Sequence, residues 1–196
     1  GVVSVSGTLD ASGKGAGETG GTIKVTGAEV GLFDHASVDA SGNAGGGIVR
    51  IGGDWHGAGA NGDANASQAY VGTHATIAAN AIGTGKGGDV VVWSDDHTQF
   101  FGKIDARGAG GGDGGNVETS GHALHVDGQV DASSAGGKGG HWLLDPTDVN
   151  ITHTGTTDIT PSGGVWRSSI GNSTIVDADL SAALTSGTNI QVQTTN

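Results

Sequence analysis

Four aspartates occupy one position of a recurring pattern and are the residues of this chain with the clearest spacing for chemistry. In each of four copies of the pattern, the aspartate follows an apolar residue and precedes an alanine: these are Asp10, Asp39, Asp105 and Asp131. If these stretches are neighbouring strands about 4.8 Å apart, the carboxylates of Asp10 and Asp39, and those of Asp105 and Asp131, lie within about 5 Å of each other. Such pairs can bind Ca²⁺ or act as the acid and base of glycoside hydrolysis. The pattern favours a structural role instead, in which each carboxylate accepts hydrogen bonds from the glycine-rich turn that follows.

Two weaker groups of candidate residues lie outside this pattern. Asp95 and Asp96 form an exposed acidic segment that could bind Ca²⁺, and residues 61–65 form a second such segment. Trp55 is the tryptophan expected to be exposed, and it is a candidate for stacking on a sugar; Trp93 and Trp166 share that chemistry. Trp142 occupies an inward position of its strand pattern and is predicted to be core.

No arrangement of residues predicts catalysis. The chain contains no nucleophile elbow, phosphate-binding loop or HExxH motif. His122 and His125 are three residues apart, which places them on opposite faces of a strand and makes them a poor metal pair. We therefore expect no enzyme activity, no catalytic residue and no cofactor, with Ca²⁺ as the one metal that the aspartates leave open.

The elements that position these residues are predicted by a repeat. Five Gly-Gly pairs are each followed by a short segment with alternating apolar residues, and we call these segments the Gly-Gly strands: TIKV after Gly21, IVRI after Gly47, DVVV after Gly88, NVET after Gly115 and HWLL after Gly140. Their second residues are predicted to form one buried ladder: Ile23, Val49, Val90, Val117 and Trp142. The alternate residues Lys24 and Arg50 are predicted to form a solvated basic face. The segment Val2–Gly7 fits the Gly-Gly template as well.

Two further strands complete each repeat. The Asp-Ala strands carry the four aspartates, with Ile77-Ala78-Ala79 as a copy in which alanine replaces aspartate. A less regular third strand lies between them, at residues 29–33, 68–71, 98–101 and 123–126. Three strands and three corners in about 26 residues predict an all-β fold, a right-handed parallel β-helix with three sides.

The repeat predicts two regions. Residues 1–146 are regular coils, with a glycine-, alanine- and asparagine-rich loop inserted at 54–69. Residues 147–196 are modified coils that contain a short helix at about 178–186. Asp177 is its predicted N-cap, Leu180 and Leu184 share its apolar face, and Gly187 ends it. Both chain ends lack a cap, which predicts a segment of a longer rod.

Composition restricts the partners. The formal net charge is −12, and the eight Lys and Arg are scattered, which argues against binding nucleic acid or an anionic membrane surface. No apolar run approaches the roughly 20 residues of a membrane span. The 41 Gly lack the three-residue period of collagen, and the absence of Cys excludes disulfides.

Several segments resemble the filamentous-haemagglutinin-like adhesins, which are large exoproteins of the two-partner secretion family of Gram-negative bacteria. The resemblance covers nearly the whole chain and is carried by residues 53–57, 70–72, 87–96, 101–108, 114–121, 140–151 and 180–190. The family's secretion domain carries Asn-Pro-Asn motifs, and this sequence has none, so the matching part is the shaft.

The resemblance implies a secreted protein at the bacterial cell surface, where a β-helical shaft serves attachment, aggregation or biofilm formation. It implies an outer-membrane transporter as partner, through a domain not present here, and a host surface, glycan or matrix polysaccharide as target. Some members are glycosylated at sequons, and Asn65, Asn150 and Asn172 occupy three. Two alternatives stay open: a β-helical protein that binds or cleaves polysaccharide, and a filament built by end-to-end stacking of strands.

Overall fold

The protein is built almost entirely from parallel strands. The computed structural model describes residues 1–59, 64–154 and 172–194. These form sixteen strands, one α-helix and one short 3₁₀ helix: β1 Val2–Val5, β2 Thr8–Asp10, β3 Thr22–Val25, β4 Glu29–Leu32, β5 Ser37–Asp39, β6 Ile48–Ile51, the 3₁₀ helix Trp55–Gly57, β7 Gln68–Val71, β8 Thr76–Ala78, β9 Asp89–Phe100, β10 Lys103–Asp105, β11 Asn116–Val126, β12 Gln129–Asp131, β13 His141–Asp145, β14 Asn150–Thr152, β15 Thr174–Val176, α1 Asp177–Ser186 and β16 Asn189–Val192.

The strands form two sheets, and every strand pair in the described part of the chain is parallel. An eleven-stranded sheet contains the path β1-β4-β7-β9-β11-β13-β16, and β3, β6, β14 and β15 join it at its sides. A five-stranded sheet holds the Asp-Ala strands in the order β2-β5-β8-β10-β12. Each strand pairs with the equivalent strand of the next repeat, as in the pairing of β3 with β6 and of β6 with β9.

The predicted ladder of inward residues is confirmed. Ile23 pairs with Val49, Val49 with Val90, Val90 with Val117 and Val117 with Trp142. The last four of these side chains are buried, whereas Ile23 in β3 is half-buried and packs against the core from its edge. The apolar alternation therefore sets the register of the larger sheet.

Two predicted boundaries are wrong. We expected three separate strands in each repeat, but β9 and β11 each join a Gly-Gly strand to the third strand that follows. A register shift between Gly121 and Ala123 marks a bulge, at which a strand can bend without losing its partner. The segment at the chain start is also misassigned, since β1 pairs with the third strand β4 and not with a Gly-Gly strand.

The helix α1 is confirmed, with two differences in detail. Val176 occupies the N-cap position, so Asp177 is the first helical residue and not the cap. Gly187 ends the helix with a φ of 100°, as expected. Leu180 packs against the core, but Leu184 is exposed, and the buried residue of the helix is Ala183.

The helix stands where the other repeats have an Asp-Ala strand. It follows β15, packs on β12 and β16, and is followed by Thr188, whose hydroxyl accepts a hydrogen bond of 2.9 Å from the Ala132 amide. It thereby covers the edge of the five-stranded sheet beside β12. A covered edge no longer offers free backbone groups to another strand.

Candidate functional site

The aspartates of the Asp-Ala strands are brought together as predicted. Asp10 pairs with Asp39 and Asp105 with Asp131 in the register of the five-stranded sheet, and Ala78 lies between the two pairs. The Oδ1 atoms of three of them accept a hydrogen bond from the amide two residues later, at 2.8 Å from Ser12, 2.8 Å from Ser41 and 2.9 Å from Ser133. These contacts are those of the structural interpretation, in which each carboxylate supports its own turn.

The structural interpretation is supported further at Asp10, whereas Asp105 differs from it because no hydrogen bond from its own turn is seen there. Hydrogen bonds from the Ser12 hydroxyl and amide hold the pKa of Asp10 below its usual value. Asp105 forms an ion pair with Lys103, with 2.9 Å between Nζ and Oδ2, and its buried Oδ1 has no hydrogen-bond partner. Among the described residues, no three His, Asp or Glu side chains lie close enough together to hold a metal ion. Ca²⁺ binding at the aspartates stays a prediction.

A groove runs beside these aspartates on the outer side of the five-stranded sheet. Its volume is about 720 Å³, and its lining includes Asp39, Asn80, Arg107 and Asp131. The Arg107 side chain is held at the groove by Asn80, whose Oδ1 accepts from the Arg107 amide at 2.9 Å and from Nε at 3.3 Å. The groove therefore presents carboxylates, an amide and a guanidinium along one face.

The inserted segment packs on the sheet, which differs from the exposed loop that we expected. Asp54 caps the 3₁₀ helix by accepting from the Trp55 amide at 2.8 Å and pairs with Arg50 Nε at 2.6 Å. The Arg50 guanidinium lies 5.7 Å from the Trp55 ring centroid, and Trp55 is half-buried. Lys24 is exposed as expected, but Arg50 is only 8% exposed, so the predicted solvated basic face is wrong at this residue.

Trp93 lies against the insertion. Gly57 has a φ of +65°, and a Cβ atom placed there would lie 2.5 Å from Trp93 Cζ2. Asn65, near the end of the insertion, holds this segment in place. Its Nδ2 donates to the Gly57 carbonyl at 2.8 Å and to Asp95 Oδ1 at 2.9 Å. The Trp93 indole also donates to Asp95 Oδ1, at 3.3 Å. Asp96 is exposed beside this cluster.

The two remaining tryptophans are Trp142 and Trp166. Trp142 is fully buried, as predicted, and its Nε1 donates to the Thr119 hydroxyl at 2.9 Å. Trp166 lies outside the described residues, as do residues 61–63 of the second acidic segment.

A buried carboxylate that the sequence pattern does not predict lies beneath the insertion. Glu118 occupies an outward position of β11, in register with Arg50 and Val91, yet its side chain has no exposed surface. Both of its oxygens accept from the His56 amide, at 3.3 and 3.0 Å. Burial raises the pKa of Glu118, and the nearby charge of Asp145 acts in the same direction, against the lowering effect of the His56 hydrogen bond.

Asp145 extends this cluster to the end of β13. Its side chain is 4% exposed, and its Oδ2 lies 3.8 Å from His56 Nδ1. The same oxygen accepts from Gln193 Nε2 at 2.9 Å. A lone glutamate among apolar and threonine neighbours on β11 gives no signal of this arrangement, because the residues that bury it belong to an insertion 62 positions earlier in the chain.

An open pocket of about 180 Å³ adjoins this cluster. It is lined by Trp93, Asp95, Gly121, His122, Asp145, Pro146 and Thr147. The His122 ring is held by Thr147, with 3.1 Å between Nδ1 and the hydroxyl oxygen. The pocket thus combines an aromatic ring with two carboxylates at the bend where β11 meets β13.

Comparison with known proteins adds no assignment. No protein-family model matches the chain, and no curated protein is significantly similar to it. In the described part of the chain, α1 is the one α-helix, and neither it nor any other helix has the length and apolar character of a membrane span.

Proposed function

We propose that this chain is a shaft segment of a large secreted adhesin of the two-partner secretion type, displayed on the bacterial cell surface. In this proposal the parallel sheets are the faces of a right-handed, three-sided β-helix, and the repeat extends the molecule along one direction. Attachment, aggregation or biofilm formation is the process that such a shaft serves.

The observation that carries the proposal is the unbroken pairing of equivalent strands from repeat to repeat. The ladder from Ile23 to Trp142 continues to Ile190 in β16, and it is parallel throughout. A repeat that buries its apolar face only against its neighbours builds a stiff, extendable body. The contacts of Asp10, Asp39 and Asp131 with their own turns support a structural role for residues that could otherwise have been catalytic.

Surface display can be tested in the cell that produces the protein. Antibodies raised against residues 1–146 should label intact cells, and deletion of the cognate outer-membrane transporter should abolish the label while the polypeptide accumulates inside. Fab fragments of the same antibodies should reduce attachment or aggregation. Labelling only after permeabilisation, with the transporter gene intact, would contradict the proposal.

A polysaccharide-binding or polysaccharide-cleaving protein is the second candidate, and the groove that contains Asp39, Arg107 and Asp131 favours it. Extended sugars suit a long groove with mixed hydrogen-bonding groups. The test is incubation with acidic and neutral polysaccharides at high protein concentration. A shaft releases no reducing ends or unsaturated products, whereas turnover that disappears in Asp105→Asn or Asp131→Asn would replace our proposal with an enzyme.

A further inference from the structure

We propose that the pocket between Trp93 and Asp145 binds an organic cation, either a primary ammonium or a guanidinium group. The lining of this cation pocket also includes Asp95 and His122. It goes beyond the role of a shaft, since it gives the chain a specific point of recognition.

The lining of the cation pocket carries more acidic than basic side chains. Asp95 and Asp145 line it, and Asp145 also contacts His56, whose amide donates to the buried Glu118. No Lys or Arg is among the described residues that line it. Carboxylates form charge-assisted hydrogen bonds with ammonium and guanidinium groups, and these bonds are stronger than neutral ones.

Trp93 supplies the second contact that an organic cation requires. Its ring packs against Gly57 of the insertion, and Trp93 is among the residues that line the cation pocket. Its N–H group is directed to Asp95. A cation over an indole face is attracted by the negative potential of the ring, and tryptophan is the strongest side chain for this contact.

The polar groups of the pocket favour a cation over a sugar. Hydrogen-bond acceptors predominate, because Asp95 and Asp145 accept, the indole N–H is already used, and His122 is bonded to Thr147. Both hydrogen bonds to Asp95 end on Oδ1, and since this residue is exposed, Oδ2 can accept a further donor. The volume of about 180 Å³ is smaller than the ~300 Å³ at which small-molecule sites begin, and it suits one charged head group.

The experiment follows the indole N–H resonance of Trp93, identified with Trp93→Phe, while the purified chain is titrated with small probes. The probes are the amides of Nα-acetylarginine and Nα-acetyllysine, their neutral counterpart Nα-acetylcitrulline amide, and methyl glucoside. We expect the two cations to shift this resonance and citrulline amide to bind about tenfold more weakly, since a tenfold difference corresponds to one charge-assisted contact. Equal shifts with citrulline amide, or saturable binding of methyl glucoside, would overturn the proposal.

Matched variants separate a specific site from general negative charge. Asp95→Asn should weaken binding of the arginine probe about three- to tenfold, while Asp96→Asn, which removes the same charge from an exposed neighbour outside the pocket, should leave it nearly unchanged. Asp145→Asn is informative if its melting temperature stays close to that of the parent chain; Asp95→Asn tests the proposal independently of it. Equal losses in Asp95→Asn and Asp96→Asn would show attraction by the overall charge and contradict a built site.

Two further probes distinguish the source of the cation. Ethylammonium and putrescine represent free amines, and a short peptide with one central arginine represents a basic side chain on a partner polypeptide. Tighter binding of the peptide than of Nα-acetylarginine amide identifies a polypeptide partner, and tighter binding of the free amines identifies a small molecule. Absence of binding by every cationic probe would overturn the proposal without affecting the shaft function, which is tested on cells.

Discussion

Arg50 and Glu118 occupy outward positions of the larger sheet, and both are nevertheless buried. The alternation of the strands predicts that such positions face solvent. A segment from elsewhere in the chain reverses that expectation, because Asp54 and His56 lie over them and satisfy their charges and hydrogen bonds. For these residues, therefore, the position within a strand determines on which side of the sheet the side chain lies. The segment that covers the sheet determines whether that side chain is exposed to solvent.

Asp179 gives a pH-dependent prediction at this scale. Burial in the first place, and then the charges of Asp127 and Asp177, raise its pKa to about 6 from an ordinary 3.8. The folded protein therefore binds this proton more tightly than the unfolded chain, and the contribution to stability is lost as pH rises from about 3.8 to about 6.

Asp179→Asn should remove that loss. At pH 7 the free energy of unfolding of the variant should be about 1 kcal/mol higher than that of the parent chain, after allowance for solvent screening. This difference in stability should vanish at about pH 3.5. Urea unfolding at the two pH values measures it, with the exposed Asp96→Asn as the charge-matched control. A variant that is less stable than the parent chain at pH 7 would contradict the assigned burial cost.

Val90 gives a second prediction, concerning the core ladder. It is fully buried, with Val49 on one side and Val117 on the other. Val90→Asp places a carboxylate among apolar side chains without a partner, so the loss should exceed about 4 kcal/mol and unfold the chain. Circular dichroism and solubility detect the loss, and Val90→Ala, which only shortens the side chain, should remain folded. A soluble, folded Val90→Asp protein would refute the register.

The strands, the inserted segment and the helix are held in the fold by different interactions. Central strands such as β6 and β9 are paired on both sides, and their inward residues are buried. The inserted segment is held to the sheet by a few polar contacts and by the fit of Gly57 against Trp93. The helix α1 replaces a strand and covers an edge. Each of these elements is thus sensitive to a different kind of substitution.

Gly57→Ala tests the docking of the insertion. The new Cβ would meet the Trp93 ring at 2.5 Å, and the φ of +65° already disfavours a side chain. We expect a loss of about 1–3 kcal/mol together with a red shift of tryptophan fluorescence, as the insertion separates from Trp93. Gly17→Ala is the matched control, because Gly17 has a φ of +80° but a Cβ atom there would meet no other atom within 4 Å. Equal losses and unchanged fluorescence in both variants would mean that backbone strain alone is responsible.

At the scale of the whole molecule, the described strands differ in the number of strands that they pair with. The strands β1, β2 and β3 each have one neighbour in their sheets, and their outward residues are exposed. Strands in the middle of each sheet have a neighbour on both sides. In a body whose repeats are stabilised by adjacent repeats, protection depends on the number of neighbours.

Hydrogen exchange of the intact chain should report this gradient. We expect the amides of Val49, Val90 and Val117 to exchange most slowly and those of β1, β2 and β3 to exchange faster, because local opening there breaks one interface and not two. Exchange resolved by residue, measured under native conditions, provides the comparison. Uniform protection from β1 to β13 would indicate a single cooperative unit and contradict stabilisation repeat by repeat.

The sequence by itself determined the parallel strands, their register and the buried ladder, because an alternation repeated at a nearly constant distance from Gly-Gly pairs has one way to bury its apolar side. It also determined α1 and its end at Gly187, and that Asp10, Asp39 and Asp131 would support their own turns, since these depend on residues a few positions apart.

Only the tertiary structure decided which outward residues meet. It joined Gly-Gly and third strands into β9 and β11 through a bulge at Gly121, and it placed β1 beside β4. It also brought His56 to Glu118 and Asp145, and Trp93 to the pocket that Asp145 lines. These contacts join residues from different repeats through an insertion that interrupts the period, and a periodic pattern holds no information about where such a segment packs.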